Sequence, residues 1–149
     1  MKRIVEYRRL FDITQETDLA ELKTIYRNLM KEWHPDKFIS DDEKKAEAES
    51  KSKTIIEAYH FLVSISPETH EANLEEYTAT TTISGIDDFI YKGQTLKITF
   101  QDGSVYEYFG VPKSIYNKLL IATTLTRFAK RHIFHSYTFR NITKQTLVA

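Results

Sequence analysis

His34, Pro35 and Asp36 stand in a row within "KEWHPDKF", directly after a basic stretch of chain. An imidazole and a carboxylate two residues apart suit proton transfer, metal ligation or a charged contact with another macromolecule. Metal binding needs more ligands, and no third is evident nearby. A hydrolase built on His34 and Asp36 would have to turn substrate over by itself. Cysteine is absent, which removes thiolate nucleophiles, disulfides and Cys-ligated zinc. His132 and His135 form a second pair, three apart on a predicted helix, and read better as surface or packing residues than as metal ligands. With four glycines in 149 residues there is little material for a phosphate-cradling loop. The expectation is a binding protein without metal or cofactor, not an enzyme.

The elements that must position the tripeptide are helices. Leu22, Ile25, Leu29 and Trp33 follow helical spacing, with Asp18 as N-cap and Glu21 as its reciprocal partner. Pro35 disfavours helical geometry at His34, so this helix should end there. Ser40 with Glu43 reads as a second capping box, opening a long helix to about Ser64 with Ala48, Ile55, Tyr59 and Leu62 as its apolar stripe. Ser66-Pro67 starts a shorter helix to about Tyr77, and Tyr7–Ile13 suggests a turn or two of helix at the front. If the apolar stripe of the first long helix faces a core, Lys23, Arg27 and Lys31, four apart, form a cationic row on its solvent side. That row leads into the tripeptide. A rigid, proline-fixed bend at its end loses little entropy on binding, and Asp36 can accept charge-assisted hydrogen bonds from a partner.

The segment "YRRLFDITQETDLAELKTIYRNLMKEWHPDKF…TIIEAYHFLV" resembles the J-domain of DnaJ-type co-chaperones, both in the tripeptide after the basic helix and in the "EAY" near the end of the next helix. The resemblance implies an antiparallel helix hairpin with short flanking helices, docking on a DnaK-type heat-shock chaperone and stimulating its ATPase. It implies His34, Pro35 and Asp36 as the stimulating loop, and Tyr26, Arg27 and Lys31, with Lys23, on the docking helix. Asn28 and Glu32 stand where the family often has basic residues, and Ser52 where it has a core phenylalanine. No Gly/Phe-rich linker or cysteine zinc module follows, so a full DnaJ-type client-binding chaperone is not expected.

At "TATTTISGI" threonines replace helix formers, and beyond it the apolar period becomes two. An expected strand runs from Ile86 to Tyr91. Leu96, Ile98 and Phe100 alternate with polar residues, and Asp102-Gly103 should turn the chain into "SVYEYFGV". Pro112 restarts helical spacing with Ile115, Tyr116, Leu119 and Leu120, and another short helix is expected around Arg127–Phe134. "LKITFQDGSVYEYFGVPKSIYNKLLIA" with "RFAKRHI" resembles the KTSC domain, named from the C-termini of some lysyl-tRNA synthetases. The family's Ser-x-Gly segment is Thr124-Leu125-Thr126 here, and its Phe-Asn is Ala129-Lys130. The whole chain is thus expected to be α+β, with an all-α module at 1–77 and a small β-meander with one or two helices at 78–149.

Charge divides the same way. Residues 1–80 hold 12 Lys+Arg against 17 Asp+Glu, and residues 81–149 hold 9 against 4, so a net charge of zero is the sum of −5 and +5. The basic second half admits a nucleic-acid surface: Lys113, Lys118, Arg127 and Arg131, with Lys130 and Arg140, could hold phosphates, and Tyr106, Tyr108 and Phe128 could stack bases. Aromatics alternating along a strand are more often core, so recruitment of a protein client or ligand is preferred to nucleic acid. No signal-like leader or run of about 20 apolar residues is present, so no membrane role is expected and the cytoplasm is the expected location.

Overall fold

The computed structural model describes residues 2–38 and 40–143, which fold as two compact units, one covering Lys2–His70 and the other beginning at Glu71. The arrangement is α+β, helical at first and then a four-stranded antiparallel sheet with two further helices.

In the first unit α1 (Lys2–Phe11) precedes α2 (Leu19–Trp33), a 3-10 turn over Pro35–Phe38, and α3 (Asp42–Ile65). Helix α2 starts where its cap was expected: Asp18 Oδ1 accepts the Glu21 amide at 2.8 Å. It pairs antiparallel with α3 and the chain beyond. Leu19 donates its amide to Glu68, Tyr26 stacks on Tyr59 with centroids 4.1 Å apart, and Lys51 lies over the Trp33 ring, so positions advance on one side as they recede on the other. Leu22, Ala48, Ile55, Phe61 and Leu62 are buried, with Ile4 and Phe11 brought in from α1. Tyr59 and Trp33 are only half-buried.

Two local expectations need correction. The cap of α3 is Asp41, not Ser40: its Oδ1 accepts from both Glu43 and Lys44 amides at 3.1 Å. A carboxylate beside the helix N-terminus gains from the dipole as well as the hydrogen bonds. The helix opened by Pro67 ends at Ala72 as α4, and α5 (Leu74–Ile83) continues straight through the threonines. Thr81 returns its hydroxyl to the Tyr77 carbonyl at 2.9 Å, and Tyr77, Thr80 and Thr81 form the buried face. Burial of that face outweighs the weak helix propensity of threonine.

The second unit contains α5, strands β1 (Ile86–Lys92), β2 (Thr95–Phe100) and β3 (Val105–Phe109), helices α6 (Lys113–Leu120) and α7 (Leu125–His132), and β4 (Thr138–Asn141). The sheet order is β1-β2-β3-β4, so β1 and β4 are edges, and a register shift falls between Ile86 and Asp88 on β1. Gly93 and Gln94 both take positive φ, the geometry of a two-residue turn whose twist matches the strands it joins. Asp102-Gly103 closes the next hairpin as expected, with the Ser104 amide donating to Asp102 Oδ1 at 2.8 Å. Leu96 and Ile98 pair with Tyr108 and Tyr106 across β2 and β3, and all four belong to one buried cluster with Leu119, Ala129, Ile133 and Phe134. Tyr77 belongs to this cluster too, donating its hydroxyl to the Phe134 carbonyl at 2.6 Å and lying 3.0 Å from the Tyr108 hydroxyl.

Candidate docking site

The bend after α2 follows from one residue. Ahead of Pro35, His34 adopts φ −63° and ψ 130°, extended and incompatible with another helical turn. The chain then winds one short 3-10 turn, with the Lys37 amide donating to the His34 carbonyl at 3.1 Å. His34 Nδ1 accepts the Asp36 amide at 3.2 Å and lies 3.6 Å from Asp36 Oδ2. The His34 and Asp36 side chains are 52% and 85% exposed, and Pro35 is half-buried between them.

An open groove joins this bend to α2, lined by Tyr26, Arg27, Met30, Lys31, His34 and Asp36 among others. Five residues singled out from sequence therefore share one surface. Arg27 and Lys31 are exposed on it, whereas Tyr26 shows only part of its ring because the other face stacks on Tyr59. Lys23, one turn earlier, is exposed but outside the groove lining. Lys37 lines the groove and was not anticipated; its position next to Asp36 was the available signal. Three cations, Arg27, Lys31 and Lys37, thus line the same groove as one carboxylate, Asp36. Such a surface can hold an acidic partner through the helix and a basic group through the bend. Asn28 and Glu32 are exposed, and Ser52 is buried, with its hydroxyl donating to the Glu49 carbonyl at 3.1 Å.

In the second unit Lys113, Lys118, Arg127, Lys130 and Arg131 are exposed on α6 and α7. Three other members of the expected nucleic-acid surface are not. Arg140 is buried on the sheet face opposite Tyr106 and Tyr108 and donates to Glu107 Oε1 at 2.8 Å, the two being paired across β3 and β4. Tyr106 and Tyr108 are buried, and burial pushes the Tyr106 hydroxyl up to about 12 and raises that of Tyr108 well above its ordinary value. These rings are core and cannot stack on bases. Phe128 is half-buried, its ring 4.7 Å from that of His132. Thr126 accepts the Ile86 amide at 3.4 Å, tying the start of α7 to the sheet edge. His132 and His135 are exposed, and no group of three metal-ligating side chains occurs among the described residues. No helix among them is long and apolar enough to cross a membrane.

Comparison with known proteins divides the chain at the same place. Residues 6–70 match the DnaJ domain, and residues 84–137 match the KTSC domain. Among curated proteins, DnaJ homolog subfamily B member 3 of Homo sapiens is 37% identical over 59 residues, 40% of this chain and 39% of that protein. DnaJ homolog subfamily B member 6 of Bos taurus is likewise 37% identical over 59 residues, 40% of this chain and 23% of its own length. The match therefore spans less than two fifths of either relative.

Proposed function

We propose that this chain is a co-chaperone that docks on a DnaK-type heat-shock chaperone and stimulates its ATPase, while the KTSC-type module recruits a protein client or ligand. One observation carries the reading: within a DnaJ-type segment, His34 and Asp36 stand exposed on either side of Pro35, at the end of a helix presenting Arg27 and Lys31 on the same groove. Nucleotide and catalytic groups belong to the partner. The chain contributes a difference in affinity between two chaperone states, and that difference shifts their populations. Pre-set backbone at Pro35 limits the entropy lost when the loop engages. The proposed modules are the J-domain at 1–77 and the adaptor at 78–149, although the compact units divide earlier, between His70 and Glu71, and the cytoplasm is the proposed site of action.

Single-turnover ATP hydrolysis by a DnaK-type chaperone tests this. Wild-type chain should accelerate it, and His34→Gln or Asp36→Asn should abolish the acceleration. Stimulation by both variants equal to wild type would show that the loop has another role.

A second reading is favoured by the exposed cations of α6 and α7, which suit a phosphate backbone. Burial of Tyr106 and Tyr108 weighs against it, because sequence-tolerant single-strand binding relies on stacking faces. Binding to single-stranded RNA with a log-linear salt dependence of several ions would support that reading.

A further inference from the structure

From Tyr108 to the end the sequence holds seven Lys and Arg and no Asp or Glu. The turn between α6 and α7 carries two adjacent aliphatic residues in water: Leu120 is 52% exposed and Ile121 83%. Lys118 and Arg127, each within about two turns of helix from that tip, are exposed beside it. The result is an exposed aliphatic knob with a cation on each of the two helices it joins. Aliphatic side chains have no face on which a base can stack, so phosphate binding leaves the knob unexplained.

The opposite arrangement occurs on the same unit. Along α5 runs an open groove lined by Leu74, Ala79 and Ile83, with Glu71 and Glu75 at its acidic end and no basic residue in its lining among the described residues. Leu74 is 54% exposed and Ile83 84%. The groove is acidic where the knob is basic, and both present exposed aliphatic side chains.

We infer that the Leu120–Ile121 knob of one copy seats in the α5 groove of a second copy, so that the chain self-associates head to tail. Exposed aliphatic pairs supply the burial, and Lys118 and Arg127 against Glu71 and Glu75 supply orientation. Because each copy uses different surfaces for giving and receiving, a dimer keeps one free knob and one free groove. Association then continues unless a ring closes. The inference is independent of the co-chaperone reading, since it uses only the second unit and no chaperone.

Sedimentation velocity on the full chain tests it. The sedimentation coefficient should climb with protein concentration, and less steeply in high salt. Ile121→Asp and Ile83→Asp should each raise the dissociation constant about tenfold or more, leaving monomer. Both positions are more than four-fifths exposed, so neither change should disturb folding. The two variants mixed should form a complex of one copy of each and stop there, because one retains an intact groove and the other an intact knob. Glu75→Lys and Arg127→Glu should each weaken association, and the two combined in one chain should restore it. A monomer at every concentration, or mixed variants that remain monomeric, would overturn the inference. So would a monomeric chain whose knob instead binds phosphatidylserine vesicles or single-stranded RNA.

Discussion

At Asp36 the carboxylate stands 85% exposed, and its recorded contacts are with its own loop. Substitution by asparagine there should change global stability by less than about 0.5 kcal/mol, as exposed changes generally do. Urea unfolding of Asp36→Asn that matches wild type would separate loss of ATPase stimulation from loss of fold. Arg27 makes the complementary case, because it is exposed on the groove rather than on the bend. Arg27→Ala should weaken chaperone binding several-fold at low ionic strength, with the difference shrinking as salt screens the pair. Titrations that give equal affinity for variant and wild type across salt concentrations would remove α2 as a docking face. The sequence placed these side chains well because helical spacing alone separates Arg27 and Lys31 from Leu22, Ile25 and Leu29. It did not reveal that Arg140 is buried, since a buried arginine becomes legible only once Glu107 is seen opposite it across the sheet.

Among the elements, those with local causes were readable in advance. Asp18 capping α2, Pro35 ending it, and Asp102-Gly103 turning β2 into β3 each depend on a few adjacent residues. The α3 cap was misread because Ser40 and Asp41 both suit a cap, and only the backbone decides which one is extended before the first turn. Asp41→Ala should cost about 1 kcal/mol of first-unit stability and Ser40→Ala almost nothing, a contrast that denaturant midpoints would resolve. The reverse ranking would return the cap to Ser40. Helix α5 was hidden for a different reason. Threonine-rich sequence favours strands by propensity, and only Tyr77 docking among Tyr108, Phe134 and Phe139 explains a helix there. A related ambiguity affected Tyr106 and Tyr108, whose alternation favours a core but also suits a base-stacking platform. Their burial was decided by helices α6 and α7, far along the chain.

For the molecule as a whole, the two units should respond differently to alkali. Tyr77, Tyr106 and Tyr108 all have hydroxyls raised by burial, Tyr106 to about 12 from an ordinary value of 10.0. A raised acid keeps its proton longer in the folded state, so its contribution is whole below about pH 10, where both states are protonated. Above that the unfolded chain ionises first, and stability is lost as pH climbs toward 12. Tyrosinate absorbance followed alongside circular dichroism should show these rings ionising together with melting of the sheet unit. Gradual ionisation with the sheet intact would contradict their burial. The outer margin of that sheet has a consequence of its own. On β1 the ladder slips between Ile86 and Asp88, with Asp87 and Asp88 exposed at that point. An incoming strand would meet mismatched amides and two carboxylates there instead of a straight template. The chain is thereby protected against being zipped into aggregates along this border.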